Sequence, residues 1–425
     1  MTAIAFLVGI VLMIVGLAVS IALHELGHLL PAKRFGVRVG QYMIGFGPTL
    51  FSRRRGETEY GFKAIPLGGY ISMAGMYPPS RAEGRAGGGL FATMVQDARV
   101  ANDETLAGED DDRVFYKLPV HQRVIIMLGG PVMNLLLAIV LFSILLSGIG
   151  VQTATTTVAA LSECVPATGA TSCTSDDPAA PSVEAGLQPG DEIVSIDGTP
   201  VSTFAEASAI IQASPGEPIT LVIERDGAQQ TLTATPAPIV GAAPDGEADP
   251  AEIGFLGIQP TAEFVPQPLW AGPQMAFENV VAVGGVIWQL PVKVWQTGVD
   301  LVTGQERDPN GPLSVVGAGV LAGEVAAADA PVLNRVAGII GLLGSLNIAL
   351  FVFNMVPLLP LDGGHIVVAL WDGIKRAWAK LFRRPPPKPV DATKLVPVTL
   401  VVVIALMAMG AVLIIADIFN PVSLF

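Results

Sequence analysis

The stretch Ile21-Ala22-Leu23-His24-Glu25-Leu26-Gly27-His28 sets the spacing H-E-x-x-H at the end of a hydrophobic run. From Ala3 to Leu23 there are 21 residues without a charge, enough for a helix to cross a bilayer. On a helix, His24 and His28 stand one above the other on the same face. Two imidazoles so placed can share one metal ion, and Glu25 beside them is a candidate general base. Lipid cannot solvate ionisable side chains, so their presence in a span points to a function. A competing reading ends the span near Leu23 and leaves the histidines in the headgroup layer.

The whole chain has a membrane-like composition, 51% hydrophobic and 14% charged over 425 residues. Four spans stand out: Ala3–Leu23, Val124–Ile149, Val336–Pro357 and Leu395–Ala416. Thirteen of the 24 Lys and Arg lie from Lys33 to Arg123, and seven from Lys375 to Lys394. Only Arg225, Lys293, Arg307 and Arg335 fall between Val151 and Val336, a segment that holds 22 of the 37 acids. Lys- and Arg-rich loops stay in the cytoplasm. The expected topology puts residues 31–120 and 375–394 in the cytoplasm, with the N-terminus, the long acidic segment and the C-terminus outside. The first span lacks a basic leader and a small-residue cleavage site, so it does not read as a removable signal peptide. The net charge of -13 reflects the outer segment and offers nothing to nucleic acid.

Nine regions follow in order. Residues 1–30 form the first span, and 31–76 a membrane-associated β region. Within the latter, Tyr42-Met43-Ile44-Gly45-Phe46-Gly47-Pro48 and Gly68-Gly69-Tyr70-Ile71-Ser72-Met73 suit two short hairpins. Such strands survive in a bilayer when protein shields them, and a free edge at Gly68, Gly69 and Tyr70 can pair with an unwound substrate segment. The alternative is a hairpin that only packs on helices. Residues 77–120 are a cytoplasmic, partly disordered insertion with an acidic stretch at 97–112. Residues 121–150 form the second span, whose Gly130 and Asn134 share a face and read as packing residues.

Residues 151–262 hold one soluble module. Glu192-Ile193-Val194-Ser195-Ile196 alternates as a strand, Asp197-Gly198 and Asp226-Gly227 are turn signals, and Phe204–Ala213 has helical spacing. The pattern A-G-L-x-P-G-D-x-I, from Ala185 to Ile193, resembles a bacterial PDZ domain. Such domains bind extended peptides by strand addition, and a plain steric plug is the competing reading. Cys164 and Cys173 fall in the same outer segment, where oxidising conditions permit a local disulfide. Residues 263–335, with Trp288 and Trp295 among scattered prolines, read as helices at the membrane surface. Residues 336–374 carry the third span, 375–394 a basic loop, and 395–425 the fourth span.

A catalytic metal needs a third protein ligand and an open position. Asn354-Met355-Val356-Pro357-Leu358-Leu359-Pro360-Leu361-Asp362-Gly363-Gly364-His365 offers Asp362, expected on non-helical backbone after two helix-breaking prolines. With H-E-L-G-H upstream, Gly45–Pro48 as G-F-G-P and a G-G-P-x-x-N start to the second span, the chain resembles the site-2 protease family of intramembrane zinc metalloproteases. It looks closest to actinobacterial members with a single PDZ domain. Many relatives space the prolines as N-x-x-P-x-P, whereas Leu359 holds that second place here.

The resemblance implies an α-helical multi-pass membrane protein with about four spans, a membrane-associated β-hairpin region and an extracytoplasmic α+β PDZ domain. It implies one Zn2+ held by His24, His28 and Asp362, with Glu25 as general base. Asn354 would position substrate or the developing oxyanion; His365 is either a fourth ligand or, because four ligands would close the site, a residue in a supporting role. The implied substrates are single-span membrane proteins, anti-sigma factors above all, already cut once on the outside. Two other readings compete: a zinc protease of membrane-protein quality control, and a non-catalytic adaptor using its PDZ module.

Overall fold

Long apolar runs become helices because lipid leaves the backbone no partner but itself. The computed structural model describes residues 2–76, 112–165, 173, 177–242, 250–309, 311–385, 387, 390 and 395–422. The acidic stretch expected at 97–112 lies outside them except for Asp112, as do parts of the basic loop 375–394. Two compact units emerge, Met1–Gly148 with Pro268–Phe425, and Ile149–Gln267.

In the first unit, four helices are long and apolar enough to cross a membrane. They are α1 (Thr2–Arg34), α2 (Val120–Ser143, extended by a π turn over Ile144–Ile149), α7 (Val332–Asn354) and α9 (Val396–Phe419). Large apolar side chains such as Leu7, Val11, Val401 and Met407 face outward, as lipid requires. The chain is therefore a multi-pass helical membrane protein that also carries β structure. Small residues and buried polar groups draw the helices together. Gly27 of α1 and Gly129 of α2 oppose each other so closely that a Cβ on either would lie about 2 Å from the other's carbonyl oxygen. Asn347 of α7 donates to Ser20 Oγ of α1 at 2.9 Å, and both side chains are buried.

Residues 271–327 form three helices. Following α3 (Phe204–Gln212) of the second unit, α4 (Ala271–Ile287) and α5 (Leu290–Thr303) meet at a 70° bend, a geometry that also suits a broken span. The short apolar α6 (Val315–Ala327) packs on α1, where Gly9 abuts the Ala322 carbonyl and Gly323 the Phe6 ring. A surface role for all of 263–335 thus describes α6 poorly, because five of its residues are buried. The buried pair Arg307–Asp417 ties the loop after α5 to the end of α9, and Asp417 also accepts from the Ser314 and Gly317 backbone N–H groups at 2.7 and 3.2 Å.

The β region differs from two separate hairpins. Strands β1 (Val39–Arg55) and β2 (Thr58–Met73) are long and bent, and the first half of β1 is shared. Gln41–Ile44 pairs with Glu59–Phe62 on one side and with Gly69–Ser72 on the other, while Thr49–Arg55 pairs with Thr58–Lys63. Four segments result, in the order 49–55, 58–63, 39–46, 69–73. The bend falls at Gly45 and Gly47, whose φ angles of 93° and 84° disfavour other residues. Among the described residues, the outer edge of 69–73 has no strand partner.

The second unit is a sheet ordered β10-β3-β4-β6-β7, with β5 (Thr199–Pro200) on β4. Its strands are β3 (Val151–Leu161), β4 (Glu192–Ile196), β6 (Ile219–Arg225), β7 (Ala228–Ala234) and β10 (Ile258–Val265). A separate hairpin joins β8 (Ala237–Ala242) and β9 (Pro250–Phe255). Helix α3 (Phe204–Gln212) starts at a capping box between Thr203 and Glu206 and buries Ala207 and Ile211 against Ile193, Ile196, Leu221 and Ile223. Both Asp-Gly turns place aspartate and glycine at positive φ, the two-residue hairpin geometry their sequence favours. Cys164 and Cys173 are disulfide-bonded, with Cα atoms 5.8 Å apart.

Candidate metal centre

Helix α1 carries His24 and His28 one turn apart, facing α2. Their tautomers follow from their partners. His24 Nδ1 lies 2.9 Å from Asn134 Oδ1, and His28 Nδ1 lies 2.7 Å from the Ile126 carbonyl oxygen. Both oxygens only accept, so each Nδ1 carries the proton and each Nε2 turns a lone pair inward.

Asp362 meets them from α8 (Asp362–Leu381). It does not stand on non-helical backbone, as expected from the prolines. It is the first residue of a helix, following a seven-residue break that includes a cis Leu359–Pro360 bond. The prolines end α7, but an acid in a first helical turn is favoured by the macrodipole, so α8 starts at once. Gly363 and Gly364 serve close packing rather than unusual backbone angles: a Cβ on Gly363 would lie 2.4 Å from the Val356 carbonyl oxygen, and one on Gly364 2.5 Å from Leu359 N.

Three acceptor atoms therefore converge. His24 Nε2 and His28 Nε2 are 3.2 Å apart, and Asp362 Oδ2 lies 3.3 and 3.4 Å from them. Asp362 Oδ2 is buried without a hydrogen-bond partner. Three lone-pair donors at such distances repel one another unless a cation sits between them. Their triangle matches one face of a tetrahedron with bonds of ~2.0–2.1 Å, whose edges are ~3.3–3.4 Å, as for zinc with nitrogen and oxygen ligands. The donor set fits a metal ion, and among the described residues no fourth His, Cys, Asp or Glu joins the group.

Glu25 is buried beside this group, within electrostatic reach of both histidines and Asp362. Gly69 touches it: a Cβ on Gly69 would lie 3.0 Å from Glu25 Cγ. The unpaired edge 69–73 thus runs past the acid. Gly68 abuts the Phe46 ring, and Tyr70 stacks on Phe46 while its hydroxyl donates to Gln41 Oε1 at 3.2 Å. Asn354 closes α7, where its amide donates to the Leu350 carbonyl at 3.0 Å.

Two residues read as mere packing belong to the site. Asn134 holds His24, and Gly130 forms a wall against both imidazoles: its Cβ would lie 2.2 Å from His28 Nε2 and 2.8 Å from His24 Cε1. The G-G-P-x-x-N pattern was the available signal, since Gly130 and Asn134 share a helix face.

Fold and site together define a membrane-embedded metallohydrolase. The family model described as peptidase family M50 matches residues 12–384, and the chain belongs to that family. It is 34% identical over 438 residues to a protein named zinc metalloprotease Rip1 from Mycobacterium tuberculosis, covering 99% of each. The protein of that name from Mycolicibacterium smegmatis is also 34% identical, over 440 residues and 99% of each chain. Metalloprotease MmpA of Caulobacter vibrioides is 29% identical over 391 residues, 88% of each.

Proposed function

We propose that this protein is a zinc-dependent intramembrane endopeptidase that cleaves the membrane segment of single-span proteins, anti-sigma factors in particular, after a first cut outside. The observation that carries this reading is the convergence of Asp362, from the start of α8, on His24 and His28 beside Glu25 in a helix long and apolar enough to span lipid. The full-length similarity to proteins named zinc metalloprotease supports zinc as the metal. His24 Nε2, His28 Nε2 and Asp362 Oδ2 would hold it, and a metal there would supply polarisation of the scissile carbonyl and a more acidic water.

Glu25 accepts a proton from the attacking water and returns it to the leaving amine nitrogen. A peptide bond inside a substrate helix is hydrogen-bonded within that helix, so it must be unwound first. The free edge at Gly68, Gly69 and Tyr70 takes the unwound segment as an added strand, in register with Glu25. Asn354, at the end of α7, orients the segment or the developing oxyanion with its amide. The Lys and Arg asymmetry supports a site opening to the cytoplasm, with residues 31–120 and 375–394 inside and both termini outside.

Residues 151–262 act as an extracytoplasmic PDZ domain, stiffened by the Cys164–Cys173 bridge. Its turn-strand-helix pattern and the outer edge of β10, which pairs with no strand among the described residues, favour an extended peptide as ligand. Exclusion of bulky ectodomains is the outcome that would replace this role.

The test uses membranes that contain a single-span substrate lacking its outer domain, with wild type or Glu25→Gln. Wild type should release the inner fragment, and Glu25→Gln should not, while both hold one zinc per chain. Equal fragment from both would sink the role of Glu25, and absence of zinc from both would sink the metal.

A further inference from the structure

We propose that the pocket bounded by Lys33, Arg55, Gly56 and Tyr60 receives the phosphate headgroup of an anionic phospholipid. Helix α1 serves as a depth scale. Tyr42 donates to the Ala22 carbonyl at 2.7 Å and Gly69 rests on Ile21, so this part of the sheet lies close to the level of the metal centre. Lys33 donates to the Tyr60 hydroxyl at 2.7 Å and sits over its ring. Lys33 is 11 residues past Ala22, so its backbone lies ~17 Å farther along the helix, and its ammonium reaches back to a Tyr60 ring 5.6 Å from that of Tyr42, which places the pocket between the metal centre and the basic end of α1.

The chemistry of the sheet changes with that depth. Leu50, Phe51 and Phe62 are more than half exposed where the sheet enters the hydrocarbon. Arg53, Arg54 and Arg55 are exposed at its tip, where Lys33 and Arg34 end α1. The two acids nearby are engaged: Glu57 accepts from Arg113 at 2.7 and 2.9 Å, and Glu59 from Gln41 at 3.2 Å. Arg55 has no ion-pair partner among the described residues. The result is a cationic cavity of about 430 Å³ with an aromatic hydroxyl in its wall. Free phosphate would use only the cavity. A phospholipid also lays its acyl chain along Leu50 and Phe51, which are exposed among the described residues, so the lipid is the occupant the surface fits.

The full-length protein, released from phosphatidylcholine vesicles containing graded phosphatidylglycerol, can be weighed intact to count bound phosphatidylglycerol. Wild type should bind one molecule more tightly than the rest. Lys33→Gln and Arg55→Gln, both exposed changes, should each weaken that molecule about fivefold, ~1 kcal/mol per cation. Arg376→Gln, an exposed cation on α8, should leave it unchanged, and excess inorganic phosphate should not displace it. The proposal is overturned if both pocket variants bind as wild type does, if Arg376→Gln weakens binding equally, or if phosphate displaces the lipid.

Discussion

Asn134 Oδ1 accepts from His24 Nδ1 at 2.9 Å, so a residue of α2 fixes the tautomer of a metal-site histidine on α1. Removing such an outer partner typically lowers metal affinity ~10–100-fold. Asn134→Leu should therefore retain its fold yet lose zinc to a chelator at a concentration that leaves wild type loaded. Zinc content after graded chelator dialysis measures this directly, independent of proteolysis. Unchanged retention would mean that His24 needs no orienting partner.

Gly130 has no room for a side chain. Its Cβ would meet His28 Nε2 at 2.2 Å, an atom that belongs to the donor triangle. Gly130→Ala should abolish stoichiometric zinc binding, whereas Val132→Ala, an exposed change two residues on, should not. Zinc per chain by elemental analysis separates the two. Full loading of Gly130→Ala would show that α1 and α2 can part without cost.

Much of this site could be read along the chain because its signals are local. H-E-x-x-H needs only helical periodicity, and Pro357 through Asp362 announces a break in an apolar run. The placement of Asp362 within a helix was hidden, because the same prolines that end one helix also precede the start of the next. Asn134 and Gly130 were legible only as a small-and-polar stripe, a pattern that plain helix packing also produces. What makes them functional is a partner 110 residues away for Asn134, and no spacing rule reaches that far. The reading of 263–335 as surface helices throughout missed the packing of α6 for the same reason: α6 and a surface helix are alike in being apolar, and the contacts of Gly9 with Ala322 and of Gly323 with Phe6 are what distinguish it.

The pair Arg307–Asp417 is buried on both sides, 2% and 1% exposed. Breaking a buried pair leaves one charge without compensation, at a cost of about 3–5 kcal/mol. Arg307→Met should lower the stability of the full chain in a detergent unfolding titration by roughly that amount. Arg307→Met with Asp417→Leu should recover much of it, because an apolar pair restores neutrality. A double variant as unstable as the single one would shift the weight to the contacts Asp417 makes with Ser314 and Gly317.

Asp191 gives the outer unit a pH dependence with a definite sign. Arg225 grips its carboxylate through two nitrogens at 2.6 and 2.7 Å, and the Gln188 N–H adds a bond at 2.8 Å. The Arg225 hydrogen bonds hold its pKa below the ordinary carboxylate value. A group lowered on folding binds its proton less readily in the native state, so it stabilises that state above the unfolded pKa of ~4. The contribution is complete at neutral pH and is lost as pH falls through the native value. Hydrogen exchange at β4 and β6 in the full-length protein, compared at neutral pH and at pH ~3, should show faster opening in acid. Asp191→Asn should open faster at neutral pH and flatten that dependence. An unchanged acid response in Asp191→Asn would assign the pH dependence to other carboxylates.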